Sequence, residues 1–552
     1  HLEVIGSLVV GNTDVGVRLS GAEGAITGSV VRDTVPNANG AGGRGISAEC
    51  NASGLGCGRL EVSGSLVAGN VEVGVLALGA EATIIGSVVR DTVSNLSGVG
   101  GRGINAQCHS GGLGCGRLEV SGSLVAGNED MGVFIVGPEA TIAGSVVRDT
   151  VPDASGEGGR GLNAQCYPGG LGCGLLEVSS SLVAGNAELG VFLSILETTI
   201  TGSVVRDTVP NASGAGGRGI EARCDPVSQG CGSLEVSGSL VAGNADLGVS
   251  LFGVEATITD AVVRDTVSAA SGESGRGINV QCDPDVLACG RQEVSGSLVV
   301  GNADLGVSLF GAEATITGSV VRDTVPNASG EGGRGINAQC DPHGLGCGLL
   351  EVSSSLVAGS SNMGVYTAGV PATLAGVVVM DTSQNTEGQW AGDFGQGVCA
   401  VCDQTFDGGC ATLEVTGCLV DSSFTVGVEA QVLSGSLQDS VVRQVAPRAL
   451  DEAFGYGVQV EGIPGAPPTA FDIDSCQIQD ATLAGVFYYL AGGTVRGSQI
   501  TGGQYTVVMN QGANPTIQED NDLSGSVESE PTWVNMDPAP APPPLLPIEL
   551  QM

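Results

Sequence analysis

Seventeen cysteines and several columns of regularly spaced carboxylates are the residues of this chain whose types and spacing could do chemistry. Twelve of the cysteines form six pairs, each seven residues apart: Cys50/Cys57, Cys108/Cys115, Cys166/Cys173, Cys224/Cys231, Cys282/Cys289 and Cys340/Cys347. Cys402/Cys410 is a stretched seventh pair, and each pair closes a small, usually Gly-rich loop. A zinc site would need four ligands within bonding distance. Successive pairs are 58 residues apart, and His109 and His343 each fall in only one loop. The pairs therefore read as disulfides made in an oxidising compartment, each contributing roughly 2–3 kcal/mol by restricting the unfolded chain. Cys399, Cys418 and Cys476 are left over. Cys418 and Cys476 sit at one point of a repeat but too far apart to bond, and they read as small buried apolar residues.

The carboxylates recur with the same step. Asp14, Glu72, Asp130, Glu188, Asp246 and Asp304 form one column, and Glu23, Glu81, Glu139, Glu197, Glu255 and Glu313 a second. Asp33, Asp91, Asp149, Asp207, Asp265 and Asp323 form a third, each preceded by an arginine. The plain reading is a solvated outer face on which arginines offset the repulsion between stacked acids. Calcium is the one cofactor in view, since hard cations take several oxygen ligands, and the first column holds the candidate ligands. No local run matches a known calcium loop.

The chain has 552 residues and a net charge of −39, from 59 acids against 20 bases, all of them arginine. So acidic a surface excludes nucleic-acid binding, which needs a basic face to displace counterions, and it keeps a long particle in solution. No apolar run approaches the ~18 residues of a membrane span, so no transmembrane segment is expected. No signal peptide is visible. The chain opens at His1 in mid-repeat, so an export signal is expected upstream or already removed.

The elements that must position these residues follow from the repeat itself. The segment Arg59-Leu-Glu-Val-Ser-Gly-Ser-Leu-Val-Ala-Gly-Asn returns, with small changes, at Arg117, Leu175, Ser233, Arg291 and Leu349, each 58 residues on. It begins earlier as His1-Leu-Glu-Val, and after a longer seventh unit it resumes at Leu413. Each unit has two homologous halves. Leu234-Glu-Val-Ser-Gly-Ser-Leu-Val-Ala-Gly-Asn falls in register with Ala314-Thr-Ile-Thr-Gly-Ser-Val-Val-Arg-Asp-Thr. Both halves run on to a Gly-led strand, Gly248-Val-Ser-Leu or Gly335-Ile-Asn-Ala. The halves are turns of about 22 and about 36 residues, the longer carrying insertions at Val325–Arg334 and Cys340–Gly348. Short alternating strands punctuated by Gly, Asn and Asp at such a period predict an all-β solenoid, two coils per unit. Strand alternation predicts Leu234, Val236 and Leu240 inside, in line with Ile316 and Val320. About 18 or 19 coils would make a rod of roughly 90 Å. Seven long units would also suit a propeller. Blades, however, need four unlike strands and usually carry aromatics, which are 3% here.

The stacked pattern Ile/Val-x-Gly-Ser-x-Val-x-x-Asn/Asp followed by Gly-Val or Gly-Ile resembles the right-handed parallel β-helix repeat proteins of the pectate-lyase-like superfamily. The resemblance covers roughly residues 1–526 and is greatest to secreted repeat members of Gram-negative bacteria with no assigned activity. It implies a single right-handed parallel β-helix: near-identical repeats over 1–411, divergent coils and a C-terminal cap over 412–526, and a Pro-rich extended tail over 527–552. Many relatives cleave acidic polysaccharides. Asn12-Thr-Asp14 superficially matches a motif of the polygalacturonases, but the position reads Asn-Val-Glu, Asn-Glu-Asp and Asn-Ala-Glu in later units. It is thus a repeat position, whereas glycoside hydrolysis needs paired carboxylates at one unique place. No catalytic residue is expected.

The expected function is a non-enzymatic structural or adhesive rod, extracellular or on a bacterial cell surface. It would present repeated loops to cell-surface glycans, to proteins or to copies of itself, with multivalent gain. The alternative is a polysaccharide lyase or glycoside hydrolase of the β-helix type, its groove in the divergent region. Phe454, Tyr456, Phe487, Tyr488, Tyr489, Tyr505 and Trp533 gather there. They are expected to cover the open end of the core or, on a sharper reading, to bind a ligand.

Overall fold

The computed structural model describes residues 1–529 except 52–55, 110–113, 168–172, 195–196, 225–230, 386–393, 404–408, 451, 465–468 and 525–526. Among the described residues there is no helix, and 57 strands follow one another in threes. The first strand of each triple joins one sheet, the second another and the third a third; each sheet is 19-stranded and parallel. The chain is a right-handed parallel β-helix, the hand that nearly all parallel crossovers adopt. At ~4.8 Å per coil it is about 90 Å long.

One unit shows the construction. Its short coil has strands Ser233–Ser237, Leu240–Ala242 and Leu247–Phe252. Its long coil has Glu255–Thr259, Val262–Arg264 and Arg276–Gln281. Val236 pairs with Ile258, Val241 with Val263 and Val249 with Ile278, and all six are fully buried. Stacked in this way, each such side chain contributes roughly 1.5–3 kcal/mol by leaving water, which no single coil could achieve alone.

Strict alternation misplaces one column. Leu240 and Val320 point outward, not into the core. Gly238, at φ +54°, turns the chain between the first and second strands. Ser239 takes the inward place, donating to the Ile200 carbonyl at 3.2 Å and accepting the Ser203 N–H at 3.1 Å. The polar corner resets the parity, so Val241 is the core residue. Cys418 and Cys476 replace serine in this internal ladder; both are buried thiols, and Cys418 accepts the Val377 N–H at 3.4 Å. Outside, Leu and Val alternate in an unbroken column from Leu8 to Val441, half-buried except at exposed Leu8, and exposed Gln477 and Gln499 end it.

A second polar ladder makes the corner to the third sheet. Asn244 Oδ1 accepts the Thr208 N–H at 3.1 Å, and Asn70, Asn128, Asn186 and Asn302 do likewise. Just beyond, successive coils touch. A Cβ on Gly248 would lie 2.5 Å from the Gly277 carbonyl oxygen, and one on Gly277 2.7 Å from that of Gly306. Glycine fills that column up to Gly485, with Thr506 at the next level.

At the C-terminal end the strand Val527–Ser529 still pairs with Tyr505–Asn510, so the third sheet passes residue 526. Residues 530–552, with Trp533 and nearly all of the expected tail, lie outside the described residues. The described aromatic residues do not lie across the end of the core. Tyr488 is within it, its hydroxyl donating to the Phe471 carbonyl at 3.2 Å. Tyr456, Phe487 and Tyr505, with Phe454 and Tyr489 against them, cluster on the outer face of the third sheet. No helix among the described residues is long and apolar enough to cross a membrane.

Candidate functional site

Both insertions of the long coil flank the third sheet, so its outer face is a floor between two walls. The first wall is the stack of loops that precede the long-coil strands. In the loop before Arg334, Asn327 Oδ1 accepts the N–H groups of Ser329 and Glu331, both at 3.0 Å, which makes a tight Asx turn. Neighbouring loops join: Ala328 N donates to Ser268 Oγ at 2.9 Å, and Asn385 Nδ2 to the Gly330 carbonyl at 2.7 Å.

The second wall is the stack of disulfide loops. All seven expected pairs are bonded: Cys50–Cys57, Cys108–Cys115, Cys166–Cys173, Cys224–Cys231, Cys282–Cys289, Cys340–Cys347 and Cys402–Cys410. Their Cα separations lie between 3.9 and 4.3 Å. The first cysteine of each pair directly follows a strand of the third sheet and is buried. The second lies toward the surface: Cys57, Cys115, Cys231 and Cys289 are exposed, and Cys173, Cys347 and Cys410 are half-buried. Each bond therefore ties an outer loop back to the sheet rather than pinning two core positions. Inside one loop, Asp341 Oδ1 accepts the N–H groups of His343 and Leu345. Adjacent loops are one unit apart and meet through a glycine: a Cβ on Gly311 would be 2.6 Å from both Cys282 Sγ and Asp341 Cβ. The tips of several of these loops lie outside the described residues.

The first column of acids sits where the first wall meets the floor. Asp14, Glu72, Asp130, Glu188, Asp246 and Asp304 all have positive φ, a conformation in which Asp is more at ease than Glu. In the Glu72 case, its carbonyl accepts two N–H groups, from Gly101 at 2.8 Å and Arg102 at 3.0 Å. From Glu72 onward each side chain pairs with the arginine one coil below: Arg44–Glu72, Arg102–Asp130, Arg160–Glu188, Arg218–Asp246 and Arg276–Asp304. Asp14 lies in the first coil, with no arginine beneath it. These acids thus anchor a wall to a floor. Among the described residues no group of three or more His, Cys, Asp or Glu is placed to hold a metal ion. The third column also pairs, each Asp with the arginine before it, as in Arg264–Asp265 at 3.0 Å, about half exposed.

Four of the floor arginines, Arg102, Arg160, Arg276 and Arg334, also lie over aromatic rings. Arg102 is 4.3 Å from the Phe134 ring centre, Arg276 5.4 Å from Phe310, and Arg334 4.1 Å from Tyr366. Going up the rod the floor arginines sink: the Arg44 side chain is 31% exposed, Arg160 25%, Arg218 11% and Arg276 6%. Burial shows in their protonation. Burial alone would lower the Arg218 pKa, but Glu221 and Asp246 outweigh it and hold it above the ordinary value. Burial likewise works to raise Glu221, yet Arg218 and Arg223 keep that carboxyl below its usual range. At Asp130 burial wins over Arg102 and raises the carboxyl.

The pattern breaks after Arg334. In register, Gln396 takes the arginine place, and Glu429 stands in the central outward column, above Cys399 and Tyr366. Gln396 Nε2 donates to Glu429 at 3.0 Å, Gln459 Nε2 at 3.5 Å, and the Cys399 thiol at 3.6 Å. No cation is among these contacts. Burial, reinforced by the charge of Glu461, pushes the Glu429 carboxyl up to about 8. Burial also pushes Glu461 to about 7 and raises the Cys399 thiol well above its normal value. This cluster was not singled out from the sequence. Its one visible signal is the glutamine where every earlier long coil has arginine.

No family model matches the chain, and no curated protein matches it. Among solved structures it is similar to pectate lyase Pel9A, with 13% sequence identity and a TM-score of 0.27, over 62% of this chain and 69% of that one. A likeness that slight transfers no site or activity. The chain's own strand order stands as the assignment: a single right-handed parallel β-helix with a walled outer face on its third sheet.

Proposed function

We propose that the chain is a secreted or cell-surface rod that presents its disulfide-closed loops in many copies to glycans, to proteins or to further copies of itself. The observation that carries this reading is the second wall: seven bonded loops in line. Disulfides persist in oxidising compartments, and a row of like sites at ~9.6 Å pitch suits avidity. The test is deletion of residues 117–232, two whole units. The rod should shorten by about 19 Å in electron micrographs, stay folded, and bind a glycan- or protein-coated surface with lower avidity. Unfolding of the remainder would refute the modular reading, and unchanged avidity the multivalent one.

A second reading has one observation in its favour. Glu429 and Glu461 are a carboxyl pair at a single place, where the repeat breaks, as glycoside hydrolysis requires. Release of reducing ends or unsaturated products from acidic polysaccharides, with and without calcium, distinguishes the two. Turnover abolished by Glu429→Gln would favour the enzyme; no turnover on any substrate favours the rod.

A further inference from the structure

The outer face of the second sheet carries features that the rod reading does not use. Its central column is wholly aliphatic: Leu66, Val88, Leu124, Val146, Leu182 and Val204 stack directly, and the series runs from Leu8 to Val441. Sixteen of the nineteen coils contribute, a column about 77 Å long and one side chain wide, on a face that is about 10 Å across at three residues per strand. Contiguous apolar patches above a few hundred Å² mark contact surfaces on soluble proteins.

Beside that column the face alternates in size with a two-coil period. Short coils carry Ala68-Gly69, Ala126-Gly127 and Ala184-Gly185; long coils carry Arg90-Asp91, Arg148-Asp149 and Arg206-Asp207. Recesses of Ala and Gly therefore lie between ridges of Arg and Asp at ~9.6 Å pitch. Each ridge holds one positive and one negative charge, already paired and half exposed. The surface is locally neutral on a chain of net charge −39.

We propose that this face is the interface with a second copy of the chain. Two rods lying antiparallel, face to face, would set the ridges of one into the recesses of the other and cover both aliphatic stripes. The face of about 77 by 10 Å, aliphatic column and ridges together, has a footprint of about 800 Å² per copy, the size of a standard specific interface. The self-complementary relief suits an isologous contact. Such a contact leaves both loop walls free and doubles the number presented. It does not depend on what the loops bind, so the avidity test can fail while this one holds.

The experiment is sedimentation equilibrium of the full chain with its disulfides intact, from low to high micromolar. The expected result is a mass of two chains that dissociates on dilution. Leu124→Glu with Leu240→Glu puts four carboxylates into the paired stripes, and Ala126→Arg with Ala358→Arg fills two recesses whose alanines are partly exposed. Both sites are at the surface, and circular dichroism should match the parent. Each variant should raise the dissociation constant at least tenfold. Added sodium chloride should tighten the parent dimer, because it screens the repulsion between two acidic rods. A parent monomeric throughout overturns the proposal, including one that floats with phosphatidylcholine vesicles instead. So does a dimer whose constant neither variant changes.

Discussion

Replacing Glu429 by glutamine should spare the C-terminal coils a loss of stability that the parent undergoes as pH rises. In the folded chain the Glu429 carboxyl holds its proton to about pH 8, because burial opposes its charge and no cation contacts it. In the unfolded chain it releases the proton near its ordinary value of 4.5. A carboxyl raised on folding lowers stability as pH rises: its contribution is fully present below 4.5 and is lost by about 8. At about 1.4 kcal/mol per unit the window amounts to about 3 to 5 kcal/mol. Glu429→Gln keeps the shape and the Gln396 and Gln459 neighbours but cannot ionise. Urea unfolding should be followed at pH 5 and pH 9 by hydrogen exchange of a peptide within 426–446, on parent and variant. Carboxylates away from the cluster contribute equally to both, so the difference of differences reads Glu429 together with its coupling to Glu461. The parent should lose at least about 3 kcal/mol more than the variant between the two pH values. Equal losses would show that Glu429 is charged or solvated in the folded chain and would refute the reasoning.

Other outcomes follow from the same geometry. Arg218→Ala should destabilise its unit by about 3–5 kcal/mol, because Asp246 and Glu221 stay buried with less compensation; Arg148→Ala, at an exposed pair, should stay within about 0.5 kcal/mol by the same urea assay. Gly248→Ala should cost about 2–3 kcal/mol or more by forcing backbone apart, seen as faster local hydrogen exchange around Gly248 and Gly277; parent-like exchange would mean the coils are not in contact there. Removing one bond with Cys282→Ala and Cys289→Ala should cost roughly 2–3 kcal/mol, and mass spectrometry after alkylation without reductant should find only Cys399, Cys418 and Cys476 labelled once the parent is unfolded. Labelling at Cys115, Cys173, Cys231 or Cys347 would show that the corresponding loop is open.

Much of the fold was legible because the repeat states it several times over. Leu234, Val236 and Ile316 recur with one spacing and face the core, and the cysteines keep theirs within 3.9–4.3 Å between Cα atoms. Leu240 was not legible, since the left-handed turn at Gly238 resets parity and Ser239, a polar residue, faces inward. The site was harder. Third strands such as Leu305–Phe310 are buried on both sides, because walls cover the outer face; alternation does not distinguish a core Val307 from an outward Ser308. Glu429 sits in Gly-Val-Glu-Ala, which reads like any other coil; its meaning depends on Gln396, 33 residues earlier.

The glycine column of the third sheet bears on how such a molecule changes over generations. Each of these glycines is fixed by the coil above it, so a side chain there is an error that every neighbour would feel. The ladders of serine, asparagine and aliphatic residues, by contrast, recur from one 58-residue unit to the next through most of the repeats. Exchange between misaligned copies of the gene would add or remove 58 residues at a time and place each ladder on an identical partner. Length is then the cheapest trait to vary, and the rod can be tuned in steps of two coils without any new packing being invented.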